Sequence, residues 1–84
     1  MTELENKVLE IIRNNQEFVG SNINLETKFR EDLGVDSLVI AQLAIEIEDA
    51  FDIRFEGIHM SDLTTIRQVI IKTEELIERN SKVQ

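Results

Sequence analysis

The sequence predicts an all-α fold: a small bundle of three main helices plus one short helix, with a long loop between the first and second helices. Three observations predict it. Apolar residues recur at helical spacing in three stretches, the chain has no proline, and its glycines are confined to Gly20, Gly34 and Gly57, between those stretches. With 84 residues, 42% of them hydrophobic and 31% charged, the chain fits one soluble globular domain. That single domain is expected to span 1–84, with its core at 3–79 and a polar tail, 80–84, that frays.

In the first stretch, from about Glu3 to Gln16, Leu4, Val8, Ile11 and Ile12 share a face while Glu5, Lys7, Glu10 and Arg13 occupy others. From Glu17 to Asp36 the apolar residues Phe18, Val19, Ile23, Leu25, Phe29, Leu33 and Val35 follow neither a helical nor a strand period. This segment reads as a long loop pinned to the core at several points, and loops of that length inside a compact domain are usually functional. The second helix opens near Asp36 or Ser37 and runs to about Phe51, through a stretch rich in Leu, Ala, Glu and Ile. At roughly 100° per residue, Ile40, Leu43, Ala44, Ile47, Ala50 and Phe51 face inward, and Leu38, Ala41, Gln42, Ile45, Glu48, Asp49 and Asp52 face outward.

After Gly57, Ile58-His59-Met60-Ser61 has the length of one short helical turn. Asp62 or Thr64 then caps a last helix to about Arg79, with Leu63, Ile66, Val69, Ile70, Thr73 and Ile77 as its inward stripe. Ile53-Arg54-Phe55 has strand-like composition but no second strand to pair with, so it reads as loop.

Composition excludes several functions. A net charge of -8, from 17 acidic and 9 basic residues, opposes nucleic-acid binding, which needs clustered Lys and Arg. It favours basic partners, keeps a small protein soluble, and through self-repulsion suggests a monomer. No apolar run approaches the ~20 residues of a membrane span, and the start, Met1-Thr2-Glu3-Leu4-Glu5, is acidic where a signal peptide is basic then apolar, so the expected location is the cytoplasm. Without cysteine there is no disulfide, thiolate or cysteine metal site, and His59 is the single histidine. No Asp-x-Asp-x-Asp-Gly calcium loop is present and no metal site is assigned, although Asp36, Glu48, Asp49 and Asp52 invite loose divalent binding.

Ser37 is the candidate for chemistry. It follows a glycine-containing loop at the first position of a helix, where several backbone N–H groups lack intrahelical partners. A phosphate on that hydroxyl would gain about 0.3–2 kcal/mol from those groups and the helix dipole. Position alone favours an ordinary helix cap, because such caps are ubiquitous; the local context reverses that preference.

The wider stretch Glu31-Asp32-Leu33-Gly34-Val35-Asp36-Ser37-Leu38 resembles the phosphopantetheine attachment motif of acyl carrier proteins, in which Asp-Leu-Gly, any residue, then Asp-Ser-Leu opens the second helix. The resemblance covers Lys7 to Leu76, taking in Phe29 ahead of the motif, Glu48-Asp49-Ala50-Phe51-Asp52 at the end of the second helix, and Leu63-Thr64-Thr65-Ile66 at the start of the last. It implies that Ser37 carries a covalent 4′-phosphopantetheine derived from coenzyme A. By the same resemblance, Asp36 helps the phosphopantetheinyl transferase engage and orient its metal and coenzyme A, and Leu38 contacts that transferase.

The implied function is that of an acyl carrier protein, not an enzyme. It would hold acyl intermediates as thioesters and deliver them to acyl-loading, ketosynthase-type or other biosynthetic enzymes with basic docking surfaces, in fatty-acid, polyketide or related biosynthesis. The docking face would comprise Leu38, Gln42, Ile45, Glu48, Asp49 and Asp52, two exposed aliphatics within an acidic ring. Candidates for lining a cargo pocket are Leu43, Ile47, Phe51, Ile58, Met60, Leu63 and Ile66, residues that also suit ordinary core. Typical bacterial fatty-acid carriers have further acids where this chain has Val39 and Gln42, so general fatty-acid synthesis and a specialised pathway both stay open.

Three other classes compete with this one. A discrete aminoacyl or peptidyl carrier of a nonribosomal pathway is the alternative, although Asp36 before the serine looks more like acyl carriers. A serine hydrolase is remote: Gly34-Val35-Asp36-Ser37-Leu38 is only superficially similar to a Gly-Asp-Ser-Leu esterase box, since Val35 intervenes. His59, preceded by Glu56, would be its only base, and a triad with an oxyanion hole is hard to frame in so short a chain. An unmodified helical adaptor is the third class.

Overall fold

The computed structural model describes residues 2–55, 57 and 59–82, except the side chains of Met60, Ser81 and Lys82. It is all-helical: α1 (Glu3–Asn14), α2 (Ser37–Phe51), a short 3-10 turn (Met60–Asp62) and α3 (Ile66–Lys82). The helices form a bundle in which α1 packs on both α2 and α3, and the 3-10 turn packs on α2.

α1 starts where it does because Thr2 and Glu5 cap it reciprocally. The Thr2 hydroxyl accepts from the Glu5 N–H at 3.1 Å, and the Glu5 carboxylate accepts from the Thr2 N–H at 2.8 Å. Val8, Leu9 and Ile12 are its buried residues; the apolar stripe thus includes Leu9, while Leu4 and Ile11 pack only partly against the core. The helix stops at Asn14, short of the expected Gln16, because Asn15 turns extended and its side-chain oxygen accepts from the Glu17 N–H instead. The Asn15 amide also donates to the Glu46 carboxylate, tying the end of α1 to α2.

The long loop is pinned as expected by Phe18, Ile23 and Phe29, all buried, with Leu25, Leu33 and Val35 partly so. Val19 departs from the expectation. It is 67% exposed, because the turn that buries Phe18 directs its neighbour to solvent. The loop is also laced to the start of α3: Phe29 N–H donates to Thr64 C=O, Ile66 N–H to Thr27 C=O and Arg67 N–H to Leu25 C=O, around an isolated antiparallel bridge between Lys28 and Thr65. The Arg67 guanidinium adds an ion pair to Glu26.

α2 buries Ile40, Leu43, Ala44 and Ile47. Ala50, expected inward, is exposed, because the inward positions beyond Ile47 are taken by half-buried Phe51 and by Ile53 and Phe55 of the following segment. The Lys7 ammonium lies 5.6 Å from the Phe51 ring centre and covers its open side. Ile53-Arg54-Phe55 forms no strand.

α3 begins later than expected, at Ile66, with Thr65 rather than Asp62 or Thr64 at its head; the Thr65 hydroxyl accepts from the Gln68 N–H. Leu63 is buried but lies ahead of the helix. α3 runs to Lys82, and near its end the Asn80 amide donates to Asp52 C=O. Ile66, Val69, Ile70, Thr73 and Leu76 complete the core; the buried Thr73 hydroxyl donates to Val69 C=O at 2.8 Å and so leaves no unmet polar group.

Candidate functional site

The site rests on a knot of backbone hydrogen bonds around Phe29. This ring is fully buried and meets Phe18 edge-on, with centroids 6.2 Å apart. Around it, the Asp32 and Leu33 N–H groups donate to Lys28 C=O, Gly34 N–H to Arg30 C=O and Val35 N–H to Phe29 C=O. The Asp32 carboxylate accepts from Lys28 N–H at 2.9 Å. Gly34 adopts φ +65°, a left-handed conformation costing other residues about 1–2 kcal/mol, and this lets the chain reverse into α2.

Asp36 then caps α2. Its backbone is extended, its Oδ1 accepts from the Val39 N–H at 3.2 Å, and its C=O takes the Ile40 N–H. Such a cap contributes about 0.5–2 kcal/mol and fixes the direction in which the next residue leaves. That residue is Ser37, the first of the helix and exposed. The Ser37 Oγ accepts a hydrogen bond from the Arg30 guanidinium.

Arg30 escaped the sequence reading. Periodicity gives no reason to bring it to a residue seven positions later, and only the reversal at Gly34 does so. The available signal was a cation directly ahead of Glu31 and Asp32 in the run that leads to Ser37.

Along α2, Leu38, Gln42, Ile45 and Asp49 are exposed at alternating spacings of four and three residues, with exposed Asp52 continuing the line just past the helix. Leu38 is 66% and Ile45 55% exposed. Glu48, expected on the same outward face, is half-buried, and its carboxylate accepts from the Phe55 N–H at 2.7 Å. Val39 is half-buried against the core rather than part of the outer surface. The first turn of α2 carries no acid.

Of the cargo-pocket candidates, Leu43, Ile47, Leu63 and Ile66 are packed core and Phe51 is half-buried. Ile58 and the Met60 side chain lie outside the described residues. Two clefts among the described residues are lined elsewhere: one by Asn14, Asn15, Gln16, Glu17, Gln42 and Glu46, the other by Asp52, Ile53, Arg54, Leu76, Arg79 and Asn80. The acidic set Asp36, Glu48, Asp49 and Asp52 is not brought together. Asp36 stands at the opposite end of α2, about 20 Å of helix from Asp49 at ~1.5 Å per residue. His59 is exposed, Glu56 lies outside the described residues, and Ser37 Oγ is hydrogen-bonded by Arg30.

These residues fit a phosphodiester on Ser37. The hydroxyl is open to solvent, stands at the positive end of a 15-residue helix, and has a guanidinium within reach. Among the described residues, no helix is long and apolar enough to cross a membrane.

Comparison with known proteins agrees with this arrangement. A family model described as "Phosphopantetheine attachment site" matches residues 6–71. The "Acyl carrier protein" of Syntrophus aciditrophicus (strain SB) is 39% identical over 77 residues, covering 92% of this chain and 92% of that protein. The "Acyl carrier protein" of Trieres chinensis is 41% identical over 61 residues, 73% of this chain and 71% of its own length. That of Amoebophilus asiaticus (strain 5a2) is 34% identical over 70 residues, 83% and 88% respectively. Proteins of this kind are carriers rather than enzymes, and their cofactor is 4′-phosphopantetheine. With the matching family model, the relatives and the helical fold in agreement, the chain belongs to the acyl carrier protein family.

Proposed function

We propose that this protein carries 4′-phosphopantetheine on Ser37 and delivers thioester-bound acyl groups to enzymes of fatty-acid, polyketide or related biosynthesis. The observation that carries the reading is the exposed Ser37 hydroxyl at the first position of α2, held there by the Asp36 cap. Attachment is a phosphoryl transfer from coenzyme A. The Ser37 oxygen forms a bond to the phosphorus nearer the pantetheine, the pyrophosphate bridge breaks, adenosine 3′,5′-bisphosphate leaves, and the hydroxyl proton passes to a base or to water.

The chain's own residues divide the remaining work. Asp36 uses Oδ1 for the cap, which leaves Oδ2 free of protein partners among the described residues and available to the transferase and its metal. Leu38 and Ile45 offer apolar contact, and Asp49 and Asp52 offer charge at the far end of the same stripe. The net charge of -8 steers basic partner surfaces toward the carrier and permits brief, salt-sensitive complexes. Once bound, the arm supplies a thiol whose thioester tethers the acyl group and raises its local concentration at each enzyme visited.

The test is the intact mass of the protein purified from its native host. We expect one pantetheinyl increment per chain, with or without an acyl group on its thiol. Chains uniformly bare, or loaded with an aminoacyl group, would contradict the acyl-carrier reading.

A further inference from the structure

We propose that Arg30 holds the root of the arm: its guanidinium positions the Ser37 hydroxyl before modification and pairs with the phosphodiester afterwards. This rests on the assignment of Ser37 as the attachment point.

Arg30 leaves the carboxylates beside it in sequence unused. Its neighbours Glu31, Asp32 and Asp36 offer three carboxylates within six residues. The Asp32 carboxylate accepts from Lys28 N–H, and the Asp36 carboxylate from Val39 N–H. Among the described residues the ion pairs are Arg67 with Glu26 and Lys72 with Glu75, so Arg30 is left without an acidic partner. It reaches instead across Gly34 to a neutral hydroxyl oxygen, at the atom that would carry the phosphate.

Esterification changes what stands there. The Ser37 Oγ becomes a bridging oxygen of a singly charged phosphodiester, whose two non-bridging oxygens match the planar donor fork of a guanidinium. The N-terminus of α2, which Ser37 opens, adds positive potential. The base of Arg30 is firm: its C=O accepts from Gly34 N–H at 3.2 Å, and adjacent Phe29 is fully buried. The cation is therefore presented by a fixed backbone. Lysine at this position would keep the charge and lose the fork.

The test compares holo protein made from wild type, Arg30→Gln and Arg30→Lys with coenzyme A and a broad-specificity phosphopantetheinyl transferase. Arg30 is exposed, and unchanged circular dichroism of the apo variants establishes that they fold. Phosphorus NMR of each holo protein is recorded as sodium chloride rises from about 20 to about 500 mM, a range that shortens the screening length severalfold. We expect the wild-type phosphodiester resonance to differ from that of Arg30→Gln at low salt and to converge on it at high salt, with Arg30→Lys in between. A resonance and salt response identical in wild type and Arg30→Gln would overturn the role of Arg30 and leave Ser37 as the attachment point. A wild-type chain that gains no pantetheinyl mass would overturn both.

Discussion

The Glu48 carboxylate accepts a hydrogen bond from the Phe55 backbone N–H at 2.7 Å, so the segment leaving α2 is fastened to the helix's last turn. The Ile53 N–H donates to Glu48 C=O at 3.1 Å, and Asp52 takes the left-handed conformation between them. One residue thus closes the end of α2 through both its side chain and its backbone. Removing the side chain strands a partly buried N–H. Glu48→Ala should therefore cost about 1–3 kcal/mol, and Glu48→Gln, which keeps an acceptor, less. Urea unfolding with an unchanged slope measures this; a Glu48→Ala midpoint equal to wild type would refute the role assigned to the bond.

Leu38 and Ile45 contribute little to the fold because most of each side chain is in water. Leu38→Asp and Ile45→Asp should shift stability by no more than about 0.5 kcal/mol while slowing transfer to and from partner enzymes. Unfolding of either variant would mean that the outward face of α2 has been misassigned.

Asp49 is an acid near the C-terminus of α2, where the dipole favours cations, and no basic residue occupies that last turn. Asp49→Asn should raise stability by a few tenths of a kcal/mol and weaken salt-dependent encounter with basic partners. A variant no more stable than wild type, with unchanged salt dependence, would show that the charge serves neither purpose.

Leu43 and Ile47 are 1% and 0% exposed, at the centre of the bundle. Leu43→Ala or Ile47→Ala should cost about 2–5 kcal/mol through lost contacts and a residual cavity. In so small a domain that is a large share of the total, and calorimetry should show a fall in melting temperature of ten degrees or so or more. Near-wild-type melting would place these side chains in a space that collapses freely.

Periodicity made α1, α2 and α3 legible because each buries an apolar face, and a local motif singled out Ser37. Boundaries were less so. Asn15 ended α1 through a turn of its own, and Thr65 displaced Asp62 and Thr64 as the head of α3 because the loop bridge at Lys28 sits against it. A helical wheel placed Glu48 outward and Ala50 inward, since it contains no information about Ile53 and Phe55 folding back over the end of α2. Arg30 was hidden for the same reason: its contact with Ser37 depends on the path of an irregular loop.

Whether Ser37 is the attachment point is decided by mass spectrometry of the protein after incubation with coenzyme A and a broad-specificity transferase. Wild type should gain the mass of one phosphopantetheinyl group, localised to the peptide containing Ser37, and Ser37→Ala should gain none. A wild-type chain that stays bare, or a Ser37→Ala chain that is modified equally well, would rule Ser37 out as the carrier of the arm.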